Sequence, residues 1–231
     1  MSVKVSDIHR LAALDNAGLC AAMWRAHGLG VELGDGFLAC SGPPPRFYPN
    51  VVTIEPATSP QAVMRDIAER TAGASAPFTV KDSFRALALE GLGFGVLFEA
   101  QWIHRPAGLA AGPTRLDWRA VSGVAELGQW EGAWSGGADP PAFFTPAFLA
   151  TPSVTMLAGR AEGEIVAGCV ITVGADVLGL SNVFGEAAEA INAAATAFPH
   201  RDLVGYERGE ALADALDAGF KVAGDLVVWA L

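Results

Sequence analysis

Apolar and polar positions change period several times along this chain, and the last fifty residues show it most plainly. Val177-Leu178-Gly179-Leu180 is an unbroken apolar run. That is the pattern of a strand covered on both faces, and it predicts a strand over 177–184. The Ala-rich stretch 186–198 is a strong helix former, and Pro199 ends it. A second strand follows at 202–207, a second helix at 209–218 and a third strand at 221–229. Gly219 stands where a helix end wants a left-handed residue, and Phe220 then packs back onto the core. A β-α-β-α-β order predicts a layered α/β domain whose ligand crevice lies at strand ends.

The rest of the chain reads less sharply. Ile8, Leu11, Leu14, Leu19, Met23 and Trp24 form a loose helical stripe over 6–27, stopped at Gly28. Asp35-Gly36 marks a hairpin between strands at 30–33 and 36–40. Three prolines make 41–46 a loop, and 47–55 reads as a strand. Ser59-Pro60 opens a helix to Arg70, followed by a loop over 71–77 and a short strand at 78–80. Asp82 or Ser83 is expected to cap a helix reaching Gly91, before a strand at 94–103. Farther on, a strand at 115–121 leads to a helix capped by Ser122 and ending at Trp134. A loop at 135–141 and a helical turn at 146–149 precede a hairpin, 153–161 and 164–173, around Glu162-Gly163.

Arg105-Pro106 through Pro113-Thr114 concentrates proline and glycine and is the best linker. It divides the chain into halves at 1–107 and 114–231. Each half ends in a Gly-Phe pair before a strand that closes on a tryptophan, Phe94 then Trp102, and Phe220 then Trp229. Asn50-Val51 and Asn182-Val183 each follow a cysteine-containing apolar strand. These echoes point to a degenerate internal duplication.

Composition narrows the function classes. Hydrophobic residues make up 52% of the 231 and charged residues 17%, ample material for a core. The net charge of −10 opposes binding to nucleic acid or to an anionic membrane surface. No apolar run is long enough to span a bilayer, and the N-terminus lacks a signal-type hydrophobic region, so a cytoplasmic protein is expected. Cys20, Cys40 and Cys169 have no metal or disulfide spacing and read as buried thiols. His9, His27, His104 and His200 lack ligand spacing, so no metal is expected.

Arg208 to Phe220 (R-G-E-A-L-A-D-A-L-D-A-G-F) resembles the end of a GNAT-type N-acetyltransferase, which often reads N-x-x-A-x-x-L-Y-x-x-x-G-F there. Ala211, Gly219 and Phe220 match; Arg208, Asp214 and Ala215 stand at the Asn, Leu and Tyr positions. The resemblance covers roughly 114–231 and rests chiefly on the order of elements. It implies an α/β fold of α+β type: a GNAT-like mixed sheet flanked by helices, in two pseudo-repeats. It also implies acetyl-CoA lying where the strand 177–184 splays from the strand 202–207, with a pyrophosphate loop at the start of the next helix. That loop is nearly absent here. Gly185 is its only glycine, and Glu186 and Glu189 stand in the first turn, where they would repel a pyrophosphate.

By this resemblance Asn182, Val183, Phe184 and Gly185 would line the cofactor. Tyr206 and Glu207 would serve as proton donor and acceptor, because the family's tyrosine is replaced by Ala215. Asn50, Trp130 and Trp134 are candidates for substrate contact; the structural alternative is that Asn50 ties a backbone and the tryptophans, four apart on one helix face, pack a core. Two functions stand side by side. One is an acyl-CoA-dependent N-acetyltransferase acting on a small-molecule amine. The other is a GNAT-fold protein without catalysis that binds a small ligand or a protein partner. A homodimer formed through exposed apolar surface is a third reading.

Overall fold

The computed structural model describes residues 5–56, 59–72, 77–137 and 142–231. Parts of the loops expected at 71–77 and 135–141 lie outside them. In chain order the elements are α1 (Val5–Ala26), β1 (Val31–Leu33), β2 (Phe37–Cys40), β3 (Val51–Thr53), α2 (Pro60–Thr71), β4 (Thr79–Asp82) and β5 (Gly95–Arg105). There follow β6 (Asp117–Ala120), α3 (Val124–Trp134), α4 (Pro146–Leu149), β7 (Val154–Ala161), β8 (Glu164–Val173) and β9 (Val177–Phe184). The last four are α5 (Ala187–Ala197), β10 (Asp202–Glu207), α6 (Gly209–Asp217) and β11 (Lys221–Ala230). The chain divides into two compact units, the described residues through Trp102 with Ala223–Leu231, and Ile103–Val222.

In the first unit the strands run β1-β2-β3-β4-β11. β2 and β3 are antiparallel, and α2 carries the chain over to β4, parallel to β3. Strand alternation decides what each helix covers. Ala39 and Val51 pack with Val63 and Ile67, one turn apart on α2, and with Phe37, Leu89 and Trp229. Their neighbours Cys40 and Val52 point the other way, onto Ala17, Cys20, Ala21 and Trp24 of α1.

Two expectations fail here. The strand expected over 47–55 shortens to Val51–Thr53, because Phe47 is left-handed (φ 72°) and Pro49 has no N–H to give a ladder. The helix expected from Asp82 to Gly91 does not form. Asp82 closes β4, and its carboxylate accepts from the Phe84 and Leu87 N–H groups, 3.3 and 2.7 Å away, which holds a turn instead. Only one helical turn, Leu89–Leu92, remains.

In the second unit the order is β10-β9-β8-β7-β6, and Ile103–Arg105 of β5 lie beside β10. β7/β8 and β8/β9 are antiparallel; α5 crosses over to make β10 parallel to β9. Cys169, Ile171, Leu178 and Leu203 face Ala190, Ile191 and Ala194 of α5. On the other face Trp130 of α3 fills the space over Gly168, where an added β-carbon would stand 2.5 Å from its Nε1. Ser122 does not cap α3 as expected. Gly123 is the capping residue, and the Glu126 carboxylate reaches back to accept from the Ser122 N–H at 2.8 Å.

The order of antiparallel pair, crossover helix and parallel strand recurs in β2-β3-α2-β4 and β8-β9-α5-β10. The last strand of the half read at 114–231 nevertheless joins the first unit: β11 pairs with β4, Trp229 opposite Val80, while β5 stays in the first unit through Trp102. Among the described residues no helix is long and apolar enough to cross a membrane.

Candidate functional site

The site lies in the second unit, where β9 and β10 part. Their parallel ladder holds only three residue pairs: Asp202 with Val177, Leu203 with Leu178, and Val204 with Gly179. Beyond it, Leu180–Phe184 and Gly205–Glu207 continue as strands without pairing to each other. A bulge bends β9 at this point. Ser181 pairs with Val170 and Phe184 with Gly168, so β9 carries one residue more than β8 between the two pairs. Asn182 takes the extra place in a left-handed conformation, φ 50°. At the vertex, an added β-carbon on Gly205 would stand 2.8 Å from the Leu180 carbonyl oxygen.

The parted strands enclose a cleft of about 260 Å³. Leu180, Val183, Gly205, Glu207, Ile103 and Phe220 are among its lining residues. Alternation along β10 turns Gly205 and Glu207 toward it and Tyr206 away, so the expected donor and acceptor do not converge there. Burial in the apolar wall pushes the Glu207 carboxyl above its ordinary range. Among the described residues Glu207 has no ion-pair partner.

Of the expected cofactor residues, Val183 and Gly185 line the cleft. Gly185 is left-handed (φ 75°), and an added β-carbon would meet the Val166 carbonyl oxygen at 2.6 Å, so a side chain there would force the turn open. Asn182 Nδ2 donates to Ser181 Oγ at 3.2 Å. Phe184 turns to the other face and meets Trp130 edge-on, ring centroids 5.0 Å apart.

The expected substrate residues lie elsewhere. Trp130 is fully buried, with Nε1 donating to the Leu157 carbonyl at 2.9 Å. Trp134 stacks on Phe143 with centroids 5.4 Å apart. Asn50, in the first unit, accepts through Oδ1 from the Thr79 N–H at 2.9 Å and so ties the start of β3 to β4. All three are taken up by packing or backbone pairing.

The cleft opens into a larger groove of about 680 Å³, to which Ala187 and Asp214 are common. The groove runs between α5, α6 and the linker. Arg105 is buried in its wall and donates to the carbonyl of Ala218 at the end of α6 (3.1 Å) and to those of Leu109 (3.4 Å) and Ala110 (2.9 Å). Burial lowers its pKa. The linker is also fastened to α5, where the Gly112 N–H donates to Asn192 Oδ1 at 2.9 Å.

Glu186 and Glu189 are not the pair of free carboxylates expected at a phosphate loop. Glu189 is buried and accepts from the Arg115 N–H (2.9 Å), Arg115 Nε (3.1 Å) and Trp118 Nε1 (3.3 Å). Burial alone would raise its pKa, but these hydrogen bonds outweigh it and hold the carboxyl below its ordinary range. Glu186 pairs with Arg115 Nη2 at the rim of the groove. Sequence reasoning missed Arg105, Asp214 and Asp217, all in the groove wall. One signal was legible: α6 ends on two aspartates with no basic residue in its last turn, against the helix dipole.

No family model matches the sequence, and no curated protein matches it. Solved structures do. A GCN5-related N-acetyltransferase from Kribbella flavida superposes with a TM-score of 0.64 at 13% identity, over 95% of either chain. One from Sphaerobacter thermophilus gives 0.54 at 15% identity, over 96% of this chain and 93% of the other. A GNAT-family acetyltransferase from Colwellia psychrerythraea gives 0.50 at 11%, over 84% and 80%. These superpositions show that the chain has the mixed α/β fold of the GCN5-related N-acetyltransferases.

Proposed function

We propose that the second unit is an N-acyltransferase that takes an acyl thioester in the cleft between β9 and β10 and passes the acyl group to an amine. The observation that carries this reading is the parting of β9 from β10 after three residue pairs, with Glu207 in the gap. An unpaired strand edge offers backbone donors and acceptors to an extended amide-bearing ligand, as an added strand would. The inner cleft suits the thiol arm of acetyl-CoA. A bound thioester supplies an activated carbonyl carbon.

Glu207 is the candidate general base. Its carboxylate takes a proton from the nitrogen of the incoming neutral amine as the new C–N bond forms and the C–S bond breaks. With Tyr206 turned away and Ala215 at the family's tyrosine position, Glu207 is also the group placed to return that proton to the departing thiolate. Gly205 lets β9 and β10 touch at the vertex, and Val183 and Phe220 keep water from the apolar wall.

The test is release of free thiol from acetyl-CoA or S-acetylpantetheine in the presence of a panel of primary amines. Glu207→Gln is expected to lower the rate by about a hundredfold or more while the protein stays folded. An unaffected rate would remove Glu207 from the mechanism. Absence of turnover together with ligand binding would favour the second reading, a binding protein without catalysis, to which the missing tyrosine also points.

A further inference from the structure

Resting on that reading, we infer that the site recognises its acyl donor by the uncharged pantetheine arm and does not read the nucleotide. The ligand class is an acyl thioester of a pantetheine-like thiol, and among the described residues of the groove none is free to hold phosphates.

The inference comes from charge along the path out of the cleft. The inner wall is made mostly of apolar side chains and glycine backbone and matches a neutral amide-bearing arm. The outer groove adjoins this cleft at Ala187 and Asp214, and a longer ligand leaving on that side continues into it. There a diphosphate would meet Glu186, Asp214 and Asp217. Among the described residues, the cation in the groove wall, Arg105, and the one at its rim, Arg115, are both engaged. Arg105 directs its guanidinium at the carbonyls of Leu109, Ala110 and Ala218. Arg115 is held by Glu186 and Glu189. The start of α5 would attract an anion through its free N–H groups, but Glu186, Glu189 and Arg115 together leave one net negative charge there, which offsets that field.

A second feature points the same way. Asp214 and Asp217 stand in the last turns of α6, where the helix dipole favours cations and no basic residue is present. Both are exposed on the groove side, and neither makes an ion pair with a described residue. Such a break with a local rule is characteristic of a surface shaped by what it must exclude or admit.

The experiment compares three probes of rising negative charge on the full chain: S-acetylpantetheine, its 4′-phosphate and acetyl-CoA. Affinities are measured by calorimetry or ligand-observed NMR at low and high salt. We expect acetyl-CoA to bind no tighter than S-acetylpantetheine, within about threefold, and its affinity to rise with salt as screening weakens the repulsion. In Asp217→Asn, whose changed side chain is exposed and borders the outer groove alone, acetyl-CoA should bind about two- to fivefold tighter at low salt and S-acetylpantetheine should be unchanged. Binding of acetyl-CoA more than about tenfold tighter than S-acetylpantetheine overturns the inference and leaves the acyltransferase reading in place. An unaltered acetyl-CoA affinity in Asp217→Asn overturns it as well. If none of the three probes binds, both readings fall.

Discussion

The carbonyl oxygen of Leu180 stands 2.8 Å from the point a β-carbon would occupy on Gly205. That contact is the vertex of the cleft: the ladder between β9 and β10 ends one residue earlier, and the strands separate beyond it. Any side chain at 205 would press on backbone that cannot turn aside. Gly205→Ala is therefore expected to cost about 1–3 kcal/mol in denaturant unfolding and to weaken ligand binding. Gly128→Ala at an exposed position of α3, where an added β-carbon meets nothing within 4 Å, should instead stabilise by about 0.5–1 kcal/mol. Equal effects of the two would deny that Gly205 sets the vertex.

Glu207 makes the native state prefer its protonated form. Burial raises its pKa, so the folded chain keeps this proton to higher pH than the unfolded chain. Native stability from this group is complete below the ordinary glutamate range and is lost as pH rises through the raised value. Glu207→Gln should thus melt higher than the parent at neutral pH and show no such gain near pH 4. The measurement is melting temperature against pH for both proteins. A constant difference across the range would mean that the carboxyl is not titrating in an apolar wall.

Glu189 has the opposite sign. Hydrogen bonds from Arg115 and Trp118 hold its pKa down against burial, so its contribution is present above the ordinary glutamate range and lost as pH falls through the lowered value. Glu189→Ala leaves the Arg115 N–H and the Trp118 indole without an acceptor, and about 1–3 kcal/mol of stability should be lost at neutral pH. The loss should shrink in acid. Hydrogen exchange at the amide of Arg115 should quicken, since that N–H donates directly to the carboxylate. Unchanged exchange there would show that the linker is held by other contacts.

The three cysteines are expected to be silent. Cys20, Cys40 and Cys169 are free and buried. Burial raises each thiol's pKa, that of Cys169 to about 12, so little thiolate forms near neutrality. A thiol reagent at pH 8 should find none reacting quickly in the native protein and three in strong denaturant. One rapid native equivalent would reveal an accessible thiol and a different packing around it.

Much of this was written in local pattern. β9, β10 and the hairpin at Glu162-Gly163 lie where alternation and turn residues put them, because period and turn chemistry act over a few neighbouring residues. The continuous apolar run of Val177–Leu180 announced a strand covered on both sides, and the β-α-β-α-β order after it announced a layered α/β domain. The bulge at Asn182 left only a hint, a polar residue inside an apolar strand. Asp82 misled, since one carboxylate caps a turn as well as a helix.

Tertiary structure alone decided three matters. It moved the last strand of the second half to the first unit, seating Trp229 opposite Val80, because strand pairing is chosen by long-range fit and leaves no periodic trace. It turned Tyr206 away and Glu207 inward. It also fastened Arg115 to Glu186 and Glu189, so that carboxylates which read as free charges became the anchor of a linker. The chain's own order determined which segments are strands and helices; which charges face a ligand depended on neighbours brought together from seventy residues away.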